Sequence, residues 1–69
     1  MDLVLEYPDH IVAIECKSST EPHVTDGFYR AIETLQPTEV YIVCPISGEY
    51  PLKDNIVVTG LLPLLERLK

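Results

Sequence analysis

Asp2 is followed thirteen residues later by Glu15-Cys16-Lys17, and these side chains could serve one reaction. The Asp opens one apolar run, Leu3-Val4-Leu5-Glu6-Tyr7, and the Glu and Lys close the next, Ile11-Val12-Ala13-Ile14. Side chains alternate faces along a strand, so Glu15 and Lys17 share a face and Cys16 takes the other. Two carboxylates and an ammonium at one spot could hold a divalent cation and assist phosphoryl chemistry. Mg²⁺ is bound by one or two carboxylates and keeps several waters. It polarises a phosphoryl oxygen and acidifies a bound water, while a nearby Lys orients that water or offsets developing charge.

The surrounding pattern predicts elements able to position these groups. Residues 2–7 read as a strand, Pro8-Asp9-His10 as a tight turn, and residues 11–17 as a second, antiparallel strand. The unbroken apolar run Ile11 to Ile14 implies a strand covered on both faces. After the loop Ser18-Ser19-Thr20-Glu21-Pro22, Val24, Phe28, Ile32 and Leu35 recur at helical spacing. They predict a helix over 25–36, capped by Thr25 or Asp26 and stopped by Pro37. Val40-Tyr41-Ile42-Val43-Cys44 predicts a strand, residues 45–54 a loop, Ile56 to Thr59 a short strand and Leu61 to Leu68 a closing helix. The expected order is β-β-α-β-β-α: an α/β domain with a mixed four-stranded sheet flanked by helices. A crossover of about twenty residues makes the second and third strands parallel neighbours. Both then end on one sheet edge, where ligand sites of open α/β sheets form.

Composition bounds what such a domain does. Sixty-nine residues form one domain near the lower limit for a self-sufficient core, so we expect a partner, either a dimer mate or the rest of a longer chain. No apolar stretch reaches the length of a membrane span, and the start carries Asp2 and Glu6 rather than a basic leader. Two cysteines without framework spacing suit a reducing, cytoplasmic compartment. The net charge of −6, with five basic residues, argues against broad nucleic-acid affinity for this piece alone.

Asp2-(12 residues)-Glu15-x-Lys17 resembles the signature of the PD-(D/E)xK, or restriction-endonuclease-like, nucleases. More closely, "MDLVLEYPDHIVAIECKSS", a helix, "VYIVCP" and "LLPLLERL" are similar to the nuclease-like C-terminal domain of prokaryotic AAA-type ATPases. The resemblance covers nearly the whole chain. It implies that Asp2 and Glu15 ligate Mg²⁺ or Mn²⁺, that the Cys16 main-chain carbonyl joins that shell, and that Lys17 is the catalytic lysine. It also implies an ATPase module as partner and a longer parent of which this is a C-terminal fragment. The chain departs from the family at two points. No helix precedes the Asp strand, and Gln36 and Tyr41 straddle Pro37 without meeting the Q-x-x-x-Y pattern. No Gly-rich phosphate loop follows any strand.

The remaining chemistry-bearing residues have simpler readings. Cys16 and Cys44 read as small buried hydrophobes, His10 and His23 as surface residues, and Ser18 and Ser19 as groups satisfying loop backbone. Tyr41, Tyr50 and Phe28 read as packing residues rather than base-stacking platforms. Glu6 shares Asp2's face but lies about 13 Å along the strand, too far for one metal. The functions expected are a metal-dependent nuclease-like domain, a non-catalytic interaction, dimerisation or regulatory module keeping the same fold, and a small toxin–antitoxin or defence component that shares the nuclease prediction.

Overall fold

The computed structural model describes residues 1–53 and 55–69. Along the chain come strands β1 (Leu3–Glu6) and β2 (Ile11–Cys16), helix α1 (Asp26–Leu35), strands β3 (Glu39–Val43), β4 (Glu49–Lys53) and β5 (Ile56–Thr59), and helix α2 (Leu61–Arg67). The strands form one mixed sheet in the order β1-β2-β3-β5-β4. No helix among the described residues is long and apolar enough to cross a membrane.

Among the described residues the sheet has five strands, not four. β4 lies within the segment 45–54 expected to be a loop, and residue 54 of that segment lies outside the described residues. Glu49 to Lys53 has no buried residue, contains Pro51, and follows Pro45 and Gly48, so it carries the punctuation of a loop. It is a strand because it pairs antiparallel with β5 at the sheet edge, where a proline interrupts few hydrogen bonds.

Elsewhere the local signals lead to the elements. Thr25 is the N-cap of α1, its hydroxyl accepting from the Phe28 N–H at 3.3 Å. Gln36 closes the helix in the left-handed conformation, φ 53° and ψ 51°, its N–H bonding to the Ile32 carbonyl at 2.8 Å. β2 and β3 are parallel, with Cys16 paired to Val43, and β3 is parallel to β5.

The period of two along each strand divides the core between two faces. Ala13, Val40, Ile42, Cys44, Ile56 and Val58 point toward α1 and pack with Phe28; Val24, Ile32 and Leu35 of the expected stripe join them. Val12, Ile14 and Tyr41 point the other way, against Leu64 of α2. Burial on both faces explains the unbroken apolar runs of β2 and β3. A helix about 10 Å wide cannot cover a sheet of five strands spaced about 4.8 Å apart. Leu3 of β1 stays 49% exposed, as do Leu61 (58%), Leu62 (75%) and Leu65 (51%) on the outer side of α2.

Candidate functional site

The end of β2 is held as a strand through its last residue. Lys17 donates its N–H to the Val43 carbonyl at 2.8 Å, one step beyond the Cys16–Val43 pair. Glu15 therefore projects from an ordered main chain, on the α1 face beyond Ala13. Its carboxylate is mostly buried, 16% exposed, and lies 3.6 Å from Lys17 Nζ and 3.8 Å from the Met1 ammonium. Burying a carboxylate requires charge compensation, and the Lys17 ammonium contributes to it.

Asp2 arrives from the neighbouring strand. The β1–β2 register pairs Leu3 with Ile14, so one further step sets Asp2 opposite Glu15, and opposite residues of an antiparallel pair share a face. Asp2 Oδ2 accepts the Cys16 N–H at 2.7 Å. This is a charge-assisted bond, and it ends the ladder by satisfying a donor beyond the Leu3–Ile14 pair. In a strand, one residue's N–H and C=O point to the same side. The Cys16 carbonyl therefore turns toward the β1 side as well, at the strand end that carries Asp2 and Glu15.

Hard oxygens of this kind suit Mg²⁺ or Mn²⁺ rather than softer metals. The donor type fits such an ion, while the number of side-chain donors is small. Among the described residues, no three His, Cys, Asp or Glu side chains group as a metal site. Any ion held here would keep several waters, as Mg²⁺ commonly does.

The other sequence candidates fall outside this cluster. Cys16 is exposed rather than buried, because it stands on the α2 face one position pair past Ile14, beyond the cluster around Leu64. Cys44 is buried as expected. Glu6 pairs with Ile11 at the far end of β1. Ser19 Oγ accepts the Glu21 N–H at 3.1 Å, which satisfies loop backbone. His23 is exposed.

A second polar cluster, not foreseen from the sequence, sits on the α2 face, drawing on β3, β4 and α2. Arg67 of α2 makes a two-pronged contact with Glu49, Nε at 2.8 Å and Nη2 at 2.7 Å, and lies 5.7 Å from the Tyr41 ring centre. Tyr41 donates its hydroxyl to Glu39 at 2.5 Å. The Arg67 hydrogen bond holds the Glu49 carboxyl below its ordinary range, and burial pushes the Tyr41 hydroxyl up. His10, far from a plain surface residue, stacks on Tyr7 with ring centres 4.5 Å apart and bonds Asp9 at 2.6 Å. Tyr7, His10, Val12, Glu39 and Arg67 line an open cavity of about 190 Å³. Only the alternation that sets Glu39 and Tyr41 on one face was available in sequence to announce it; the reach of Arg67 to Glu49 was not.

Compared with known protein families, curated proteins and solved structures, the chain matches none of them.

Proposed function

We propose that the chain is a metal-dependent, nuclease-like domain of the PD-(D/E)xK kind, belonging to an ATPase-linked protein, with phosphodiester hydrolysis as its reaction. The observation that supports this most is the bond from the Cys16 N–H to Asp2 Oδ2, which brings a carboxylate from β1 to the Glu15–Lys17 pair at the carboxyl end of β2. Asp2, Glu15 and the Cys16 carbonyl would hold Mg²⁺ or Mn²⁺. When bound, the ion supplies charge for the phosphoryl oxygen and an acidified water. Lys17, kept near Glu15 by a 3.6 Å ion pair, keeps its ammonium where it can orient that water by an N–H hydrogen bond or offset developing negative charge. Glu15 also restrains Lys17, so the two act as one positioned unit. With a net charge of −6, the domain would rely on basic surface from the parent's ATPase module to hold a polyanionic substrate.

Mn²⁺ titration followed by NMR tests the metal site. The expected result is paramagnetic broadening concentrated at Asp2, Glu15 and Cys16 at millimolar ion, abolished in Glu15→Gln. Broadening spread evenly over the other acidic residues sinks the site. A labelled oligonucleotide incubated with the full-length parent then tests the reaction, with Lys17→Ala expected to leave the metal response and remove cleavage.

The second reading is a non-catalytic interaction or dimerisation module. The exposure of Leu61, Leu62 and Leu65 along α2 favours it. It calls for self-association in sedimentation and no cleavage by the parent under any metal.

A further inference from the structure

The two edges of the sheet are built differently. β4 carries the features that discourage strand addition: Pro51 lacks a main-chain donor, the register shifts between Pro51 and Lys53, and Lys53 adds a charge. β1 at the other edge has neither the proline nor the register shift, and its charge is the carboxylate of Glu6. Leu3-Val4-Leu5-Glu6 pairs with β2 in unbroken register, with neither proline nor lysine. Alternate residues of a strand turn their N–H and C=O to opposite sides, so half of these groups face away from β2. Apolar side chains flank this free edge on both faces, Leu3 at 49% and Val4 at 36% exposed, with Tyr7 just beyond at 40%.

Charge identifies what fits there. Asp2 and Glu6 lie four apart on the face that also carries Val4, bracketing it with two exposed carboxylates. A second copy of this chain, paired antiparallel about Val4, would set each Asp2 against a Glu6, and like charges directly opposite destabilise a strand pair. Moving the axis to Leu5 sets each Glu6 against Val4, and both chains still carry −6.

We propose that the free edge of β1 accepts an added strand from a protein partner whose segment reads basic, apolar, apolar, apolar, basic. The two basic residues face Asp2 and Glu6, the central residue covers Val4, and its two neighbours lie over Leu3 and Leu5. The pattern is symmetric, so either strand direction satisfies it. Main-chain bonds supply affinity and the alternating side chains supply selectivity.

The test uses the isotope-labelled chain in chelator with no divalent metal. The probe is an acetylated, amidated nine-residue peptide centred on Lys-Leu-Val-Leu-Lys. We expect amide shifts at residues 3–6 and none at 49–53. The peptide with both Lys changed to Glu should bind about tenfold more weakly or worse, since two exposed pairs turn from attractive to repulsive. N-methylation of alternate peptide nitrogens on the pairing side should abolish binding with the protein itself unaltered. No binding, equal affinity for the Glu peptide, shifts centred on the leucines of α2, or a peptide-free dimer whose interface is β1 would each overturn the proposal. Because no metal is present, none of these results bears on the nuclease reading, and failure of the Mn²⁺ titration leaves this proposal standing.

Discussion

Asp2 caps the end of the β1–β2 ladder and is proposed as a metal ligand, and a pair of substitutions divides the two roles. As ladder cap, its Oδ2 accepts the Cys16 N–H at 2.7 Å. As ligand, its charge would face a cation together with Glu15. Asn keeps a side-chain oxygen able to accept the N–H but removes the charge; Ala removes both. A hydrogen bond to a charged group contributes about 1.5–3 kcal/mol, and the exposure of Asp2 lowers this to about 1 kcal/mol. Unfolding entropy near 60 °C scales with length, so in a chain of 69 residues 1 kcal/mol corresponds to about 7 °C in Tm. We expect Asp2→Ala to lower Tm by about that much and Asp2→Asn by less than half of it. Both should lose the Mn²⁺ response at Glu15 and Cys16. Calorimetry gives the first readout and NMR the second, on the same samples. If Asn destabilises as strongly as Ala, the charge rather than the acceptor holds the ladder end. If Asn keeps the Mn²⁺ response intact, Asp2 is a cap alone and the ligand assignment fails.

Other perturbations follow from the packing and the charges. A Cβ at Gly60 would stand 2.0 Å from the Ile46 carbonyl oxygen, a main-chain atom that cannot swing aside. Gly60→Ala should cost about 3 kcal/mol in denaturant unfolding, and because φ there is −76° the cause is steric rather than conformational. Glu49 has its carboxyl lowered by Arg67, so the pair's contribution is present above the ordinary carboxylate value of 4.5 and is lost as pH falls through the lowered one. Glu49→Gln should flatten the decline of Tm below pH 4.5, and an unchanged slope would show that the contact does not persist in solution.

Much of the frame is legible residue by residue. Thr25 and the stripe Val24, Phe28, Ile32 and Leu35 announce α1 because a cap and a 3.6-residue period are local properties. The apolar runs of β2 and β3 announce strands covered on both faces, and the length between them announces their parallel pairing. β4 was not legible. A strand exposed throughout and holding a proline has neither alternation nor burial to mark it, and only its ladder with β5 defines it. The exposure of Cys16 escaped for a related reason, since it depends on where the short helix α2 stops covering the sheet.

The sequence by itself determined where the chain turns, which stretches are apolar, and that Glu15 and Lys17 leave the end of β2 on one face, because each depends on side chains a few residues apart. Tertiary structure alone decided three further matters. It set β5 rather than β4 beside β3, since Ile56, Val58 and Thr59 tolerate full burial and Glu49 to Lys53 does not. It brought Asp2 to the Cys16 N–H across fourteen residues through the register of a hairpin. It left β1 at the edge of the sheet with β2 as its one neighbour, because an edge exists only once the order of the strands is settled.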